Sequence, residues 1–275
     1  MKVHQAAYHC LMQVDIEKKH SCVTDLHKDW QDGNLGRGES NLDGEHIEES
    51  LEIKVVEIPG RPALPELISP SKLKQRKLGS ELGRATLIHA IAHIEFNAIN
   101  LALDAVYRFR DMPDQYYTDW LKVASEEAYH FSILNDRLQK MGYSYGDFPA
   151  HNGLWKMVLK TRHDVMVRMA LVPRVLEARG LDVTPGMIGR LEKAGDNETA
   201  DLLKIILRDE IGHVAIGSHW FKYSCKLRGV NPEKTFRELL QEYMGGALRG
   251  PFHTEARLQA GFSQEEMDEL VSMLG

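Results

Sequence analysis

The sequence contains little cysteine. Its three cysteines, Cys10, Cys22 and Cys225, are odd in number and widely spaced, and no C-x-x-C pair occurs among the 275 residues. This spacing argues against a disulfide framework and against an iron–sulfur or zinc-ribbon site. Because cysteines normally stay reduced inside cells, we expect a reduced, cytoplasmic setting.

Uninterrupted apolar runs and excess positive charge are also missing. The longest apolar stretch, 85–109, is interrupted by histidine, asparagine and acidic residues, so we expect no membrane span. The N-terminus has no apolar core of the kind that signal peptides carry. With 34 basic against 40 acidic side chains, the net charge of −6 disfavours nucleic acid and anionic membranes as partners. An apolar content of 43% is that of an ordinary globular protein.

The chain divides near residue 70. Residues 1–70 contain a helical pattern at about 6–28, a polar, glycine-rich stretch at 31–41, and an alternation at 51–58 that predicts a short strand. This part is too short and too polar to bury its own core, so we expect it to be an arm that wraps the rest of the protein. In residues 71–275 the periodicity is helical throughout. The sequence therefore predicts an all-α fold with an N-terminal arm.

Four long helices are predicted in the second part, with shorter ones after them. The long helices cover about 80–110, 114–141, 154–179 and 196–228, with a turn-rich crossover at 142–153. Pro173 lies inside the third helix and should bend it just before Glu177, because proline removes a backbone donor. Gly180 should end that helix, and Thr184 followed by Pro185 predicts the start of a short one. Two more short helices are expected near the C-terminus.

Two Glu-x-x-His motifs occur, one from Glu127 to His130 and one from Glu210 to His213. Helical residues three apart lie on one face, about one turn apart, so each pair can hold a metal ion. Both motifs lie on apolar stripes. An unpartnered buried carboxylate costs on the order of several kcal/mol, so it is normally ion-paired or bound to a metal. One such motif means little, but two on separate core faces indicate a metal site.

A two-metal site in a helical bundle requires one further glutamate on each of the other two helices. Glu95 lies on the apolar stripe of the first helix, and Glu177 lies near the end of the third. The spacing repeats, because 32 residues separate Glu95 from Glu127 and 33 separate Glu177 from Glu210. The predicted metal ligands are Glu95, Glu127, His130, Glu177, Glu210 and His213. This oxygen and nitrogen set suits two iron ions, or manganese, better than zinc.

Other polar residues near these motifs have alternative interpretations. Glu126 is a poorer ligand than its neighbour, because no histidine follows it three residues later. His89 and His93 face away from the predicted ligands, and we expect them to be hydrogen-bonded against the N-terminal arm. Asp104 or Asp209 could orient a ligand imidazole, and an ordinary solvated carboxylate is equally compatible with either. No catalytic side chain beyond the metal centre is predicted.

Three segments resemble a known family. They are residues 89–99 (HAIAHIEFNAI), 169–182 (MALVPRVLEARGLD) and 250–252 (GPF). From residue 59 onward the chain is similar to a family of ferritin-like proteins known as a domain of unknown function, DUF455. The ligand arrangement also resembles the ferritin-like superfamily of carboxylate-bridged di-iron proteins. The resemblance implies a ferritin-like four-helix bundle and the same six metal ligands, but no substrate.

We therefore expect an O2-activating di-iron oxidoreductase of the hydroxylase, oxygenase or desaturase type. Its cofactors would be two iron ions, with manganese as the alternative metal and O2 as co-substrate. Its partners would be an organic small molecule and an electron donor or reductase. The alternatives are a ferroxidase or iron-storage protein, a di-manganese peroxide-handling enzyme, a tRNA-modification hydroxylase, and a structural core in which the glutamates pair with arginines such as Arg84, Arg174 and Arg208. A homodimer is compatible with the sequence.

Overall fold

The computed structural model describes residues 2–36, 52–74, 76–245 and 250–273. In these ranges the regular structure is all-helical, and no strand occurs. The α-helices are α1 (Val3–Leu11), α2 (Ile16–Gln31), α3 (Glu81–Arg108), α4 (Asp114–Lys140), α5 (Gly153–Lys160), α6 (Val165–Leu171), α7 (Ala178–Lys193), α8 (Asn197–Arg228), α9 (Pro232–Met244), α10 (Thr254–Gln259) and α11 (Gln264–Ser272). A 3-10 turn (Pro70–Lys72) precedes α3, and a π-helical segment (Val172–Glu177) joins α6 to α7.

Three of the four long helices lie where they are predicted, as α3, α4 and α8. Ser80 caps α3, and Asp196 caps α8 by accepting a hydrogen bond from the backbone N–H of Thr199. Such caps satisfy amide groups that have no partner within the helix. At the other end of α8, Gly229 takes a left-handed conformation with a φ of 65°, which glycine adopts without strain.

The prediction of one continuous third helix over 154–179 is wrong. The region forms two helices, α5 and α6, because the chain turns after α5 and Asp164 caps a new helix. Gly180 does not end the helix, and Pro185 lies inside α7 rather than at the start of another one. The apolar face of α7, which includes the buried Leu181, packs against α8. This packing outweighs the one backbone hydrogen bond that proline removes.

The predicted bend at Pro173 takes the form of the π-helical segment. The wider turn accommodates a proline ring that would clash in a regular helix. On the facing helix α8, Gly217 makes room for that ring, since a Cβ there would lie 2.2 Å from Pro173 Cγ. The segment therefore lies close against α8 and ends at Glu177.

The predicted strand at 51–58 is wrong for residues 52–58, and Leu51 lies outside the described residues. The segment is extended but has no neighbouring strand. Side chains of the helical core bind its backbone instead. The Tyr107 hydroxyl accepts a hydrogen bond from the N–H of Lys54, and Trp155 Nε1 donates to two carbonyl groups of the segment.

Cys10 of α1 and Cys22 of α2 form a disulfide, with their Cα atoms 5.5 Å apart. The prediction of reduced cysteines is wrong for this pair, because the turn between the two helices brings the two thiols together. Cys225 is a buried free cysteine. The expectation of a cytoplasmic setting thereby loses its support from cysteine content.

α3 is the central helix of the core. By length and composition it could cross a membrane, but 78% of its most apolar window is buried inside the protein. That burial is the pattern of a core helix in a soluble protein. α3 packs against α4 and α1, and α2 packs against α4, so apolar residues of α1 and α2 belong to the same core. The division into an arm and a bundle at residue 70 stays a prediction, and residues 37–50 lie outside the described part.

The long helices pack in two pairs, α3 with α4 and α7 with α8. Contacts between α4 and α8 join the pairs, and the π-helical segment lies against both α8 and α5. Side chains from α3, α4, α8 and the π-helical segment can therefore meet in one interior.

Candidate metal centre

One buried cluster receives side chains from four elements. α3 carries Glu95, α4 carries Glu127 and His130, the π-helical segment ends at Glu177, and α8 carries Glu210 and His213. All six are buried, and even Glu210, the most accessible, is only 9% exposed. In each Glu-x-x-His motif the helical spacing places the carboxylate and the imidazole on the same inward face.

Glu127 lies between the two imidazoles. Its Oε1 atom is 3.0 Å from Nδ1 of His213, and its Oε2 atom is 3.5 Å from Nδ1 of His130. Nδ1 of His130 also lies 3.4 Å from Oε2 of Glu95, and Nδ1 of His213 lies 3.6 Å from Oε1 of Glu210. One ligand atom from each of Glu95, Glu127, His130 and Glu210 lies within 4.8 Å of the others. A single cation can therefore be reached from all four.

Glu177 lies at the edge of this group. It does not belong to the four residues with closely spaced ligand atoms, but it lines the same cavity as Glu95 and Glu210. The structure thus brings the six predicted residues around one interior, with Glu177 on the cavity side.

Most polar atoms that face this interior lack a hydrogen bond. Among the described residues, the buried atoms without a hydrogen-bond partner include Glu95 Oε2, both carboxylate oxygens of Glu127 and of Glu177, Glu210 Oε2, and Nδ1 of His130 and His213. Several of them form the close ion pairs given above, without the geometry of a hydrogen bond. Leaving a buried polar atom unsatisfied costs about 1–3 kcal/mol, and more for a charged one. So many such atoms around one point fit a bound cation, which carboxylate oxygens and imidazole nitrogens both ligate.

Two carboxylates hold the other ring nitrogens of the histidines. Nε2 of His213 lies 3.0 Å from Glu126 on α4, and Nε2 of His130 lies 3.1 Å from Asp209 on α8. A carboxylate accepts the Nε2 proton, so Nδ1 can present its lone pair to the interior. The signal in the sequence was an acidic residue directly before each motif glutamate. Asp104, the other candidate for this role, instead binds two buried arginines.

Burial and mutual repulsion change the pKa values of these groups. Burial raises the pKa of Glu95 well above its ordinary value, and the charge of Glu127 adds to the effect. Burial and then Glu210 raise the pKa of Glu177 in the same way. Burial alone would lower the pKa of His130, but the contacts with Glu127 and Glu95 outweigh it and raise the pKa to about 11. The metal-free cluster therefore holds protons that a cation would displace.

The arginines that could have neutralised these carboxylates have other partners. Arg174 pairs with Glu266 and lies over three aromatic rings, Arg84 pairs with Asp196, and Arg208 pairs with Asp209. Within the described ranges, Glu95, Glu127 and Glu210 form their ion pairs with histidine and not with arginine or lysine. The interior around the six predicted ligands is therefore not a core of arginine–glutamate pairs.

His89 and His93 lie against the crossover between α4 and α5, so the prediction that they contact the N-terminal arm is wrong. The N–H of Gly146 donates to Nε2 of His89, and Nδ1 of His93 lies 2.8 Å from the Tyr145 hydroxyl. Burial lowers the pKa of each histidine to about 4, which keeps both neutral at pH 7. Both therefore have a role in holding the crossover.

A cavity of about 320 Å³ lies directly beside the cluster, between α3, α5, α7 and α8. Glu95, Glu177 and Glu210 form one end of it. The described residues that line the rest are Ile91, Ile94, Ala98, His151, Gly153, Leu154, Met157, Leu176, Arg179, Gly180, Val183, Thr184, Met187, Leu203 and Ile206. This cavity was not predicted from the sequence, because part of its wall comes from α5 and α7, the helices whose predicted boundaries are wrong.

Comparison with known proteins identifies relatives but no activity. A family model described as "Protein of unknown function (DUF455)" matches residues 12–268. An uncharacterized protein from Haemophilus influenzae is 50% identical over 214 residues, which is 75% of this chain and 74% of that protein. No solved structure matches the chain.

Proposed function

The chain belongs to the DUF455 family, and we propose that it is an O2-activating di-iron oxidoreductase that acts on an organic substrate. The observation that carries this proposal is the set of buried oxygen and nitrogen atoms that face one another without hydrogen bonds. A pair of divalent cations would satisfy these atoms and offset the charge of four buried carboxylates.

We assign the fold to the ferritin-like four-helix bundles as part of the same proposal. In the two-metal members of that class, a glutamate on each of two helices joins a Glu-x-x-His motif on each of the other two. Here α3 and the π-helical segment supply the single glutamates, and α4 and α8 supply the motifs. The packing of α3 on α4 and of α7 on α8 supports this assignment.

The contacts of each residue indicate how it would help to hold the metal. Glu95 would bind beside His130, which it contacts, and Glu177 would complete the ligand set from the cavity side. Glu127 contacts both imidazoles, so it would act together with both motifs. Glu210 contacts His213 and belongs to the close group that includes His130, so it would also bind near both imidazoles.

Bound iron would supply the reduction of O2 and the oxidising power needed to attack an unactivated C–H bond. In a hydroxylation, the substrate and O2 would react with two electrons and two protons from a donor to give an alcohol and water. The chain contributes position and environment. Glu126 and Asp209 hold the imidazoles, and the apolar cavity wall would limit the access of water to the carboxylate side.

The cavity favours substrate oxidation over iron storage. An iron-storage site needs a polar route for hydrated Fe(II), whereas this cavity is walled mainly by aliphatic side chains. Manganese stays the alternative metal, because it accepts the same ligand set.

The test is to load metal-free protein with Fe(II) without oxygen and then add O2. We expect two Fe(II) per chain to be oxidised, with absorption bands of an oxo-bridged pair, and no further oxidation of excess Fe(II) without a substrate and a donor. The matched control is Asp201→Asn, an exposed acidic residue on α8, which should behave like the wild type. Continued oxidation of excess Fe(II) into mineral would indicate a storage protein and contradict the proposal.

A further inference from the structure

The two ends of the cavity differ in burial and in chemistry. At the inner end, Glu95, Glu177 and Glu210 are surrounded by buried apolar side chains such as Ala98 and Leu203. Other lining residues are partly exposed. They include the remaining polar side chains, His151, Arg179 and Thr184, together with apolar ones such as Ile94. The cavity therefore leads from a polar rim through an apolar passage to the metal ligands.

The sign of the charged side chains also differs between the inner end and the rim of the cavity. Among the described lining residues, the charged groups at the inner end are carboxylates, whereas Arg179 supplies the positive charge at the rim. The Arg179 side chain is 39% exposed, donates to the carbonyl of Pro251 at 3.3 Å, and lies 3.6 Å from Asp182. Asp182 is held more closely by Arg257, at 2.8 Å. Asp182 is thus shared by two guanidinium groups, of which Arg257 is buried and Arg179 is the one that lines the cavity.

We propose that this cavity binds an amphipathic molecule with a hydrocarbon chain and an acidic headgroup, and that the chain enters first. The head lies at Arg179, and the chain extends along the apolar passage towards Glu177. A volume of about 320 Å³ lies at the low end of the roughly 300–1,000 Å³ typical of small-molecule sites, which suits a chain of medium length. That the chain is then oxidised rests on the proposed function, but the binding mode does not.

The opposite orientation would place the acidic head among the metal ligands and the chain tip at the rim. It would bury the head beside Glu95, Glu177 and Glu210 and leave apolar surface against His151, Arg179 and Thr184. Both consequences are unfavourable, because like charges repel and burial of apolar surface is lost. Bound metal would reduce the charge repulsion, but it would not restore the lost burial of apolar surface.

The test is calorimetric titration of metal-free and iron-loaded protein with decanoate, decanol and decylamine. We expect decanoate to bind most tightly and decylamine least, with similar affinities in the two forms of the protein. Arg179→Gln should weaken decanoate binding on the order of tenfold, because hydrogen bonds to charged groups are the stronger ones, and should leave decanol unchanged. Binding of decanoate that requires iron and ignores Arg179→Gln would establish the opposite orientation and overturn the proposal.

A matched pair of glycine variants on α7 locates the ligand. A Cβ at Gly180, which lines the cavity, or at Gly189, which does not, would meet no atom within 4 Å, so a side chain can start from either position without a backbone clash. Gly180→Leu should abolish binding of decanoate and decanol, and Gly189→Leu should bind both like the wild type. Equal binding by the two variants would show that the ligand lies elsewhere.

The iron content of the same proteins separates this proposal from the proposed function. Decanoate binding in a protein that takes up no iron would refute the metal centre and leave the chain-first site standing. Iron uptake without binding of any of the three compounds would refute the site and leave the metal centre standing.

Discussion

The two sides of the candidate centre are built differently. On the α4–α8 side, each imidazole is held by a carboxylate from the facing helix, Glu126 for His213 and Asp209 for His130. On the other side, which α3 and the π-helical segment form, Glu95 and Glu177 face a cavity, and both oxygens of Glu177 and Oε2 of Glu95 lack a hydrogen bond. One side fixes the ligands, and the other leaves room beside them.

Under the proposed function, this difference would allow a single fold both to hold a metal and to admit a substrate. Ligands that are tied to outer partners keep their orientation, which strengthens metal binding. Ligands that lie on a cavity can change position when the metal or its substrate changes. The irregular π-helical segment, which places Glu177, belongs to the second side, and such segments often occur at functional sites.

The largest effect should come from exchanging a central ligand for its amide. Glu127→Gln should lose both iron ions, because Glu127 contacts both imidazoles. Glu177→Gln should keep one iron ion, since this residue lies outside the close group of four. The number of iron ions retained per chain after dialysis against metal-free buffer measures the effect of each variant. Equal iron loss in the two variants would contradict the claim that the two sides of the centre contribute differently to metal binding.

The outer carboxylates should have the next largest effect. Glu126→Gln and Asp209→Asn should each weaken iron binding by roughly 10- to 100-fold, because the imidazoles lose their orienting partners. Lys122→Met is the matched control, since Lys122 also pairs with Glu126, at 2.7 Å, without contacting a ligand. Competition with a chromogenic chelator measures the affinities. Unchanged affinity in both acidic variants would mean that the α4–α8 side is not fixed in this way.

Substitutions at two glycines of α8 test how closely the π-helical segment packs against that helix. Gly217→Ala should destabilise the fold by about 1–3 kcal/mol, because its Cβ would overlap the ring of Pro173. Gly212→Ala, where a Cβ meets nothing within 4 Å, should stabilise it by roughly 0.5–1 kcal/mol through helix propensity. Urea unfolding measures both. A Gly217→Ala variant as stable as Gly212→Ala would show that the two elements are not tightly packed there.

A buried lysine whose hydrogen bonds go to none of the six predicted ligands should affect stability without changing metal binding. Lys19 donates hydrogen bonds to the carbonyls of Cys10 and Leu11 and to the side chain of Asn100. Lys19→Met should therefore destabilise the fold by about 1–3 kcal/mol, because these acceptors lose their partner. Its iron content should stay equal to that of the wild type.

The pH dependence of this variant gives a second measurement. Burial lowers the pKa of Lys19 from 10.5 to about 7, so between these values the unfolded chain binds more protons than the folded one. The wild type should then gain stability as the pH rises from about 7 towards 10.5, and Lys19→Met should lack that part of the gain. Parallel stability curves for the two proteins would contradict the shifted pKa.

Much of the centre could be predicted because helical periodicity encodes it. The two Glu-x-x-His motifs lie on regular helices, so their spacing alone predicts which face they share. Glu95 follows from its apolar stripe in the same way. Glu126 could not be assigned a role from its own helix, because its partner His213 lies on another one.

The errors in the fold arise where tertiary contacts override local signals. Gly180 predicts the end of one helix and Pro185 the start of another, yet α7 continues through both because its apolar face packs on α8. The pattern at 51–58 alternates like a strand, but no second strand is available to pair with it among the described residues. The Cys10–Cys22 pair depends on how α1 and α2 meet, which sequence spacing does not reveal.

The most direct test of the central claim is anomalous diffraction at the iron edge from crystals of the iron-loaded protein. The account predicts two peaks in the interior between α3, α4, α8 and the π-helical segment, both beside Glu127 and flanked by His130 and His213. Crystals without peaks there, or with iron only at the protein surface, would contradict it.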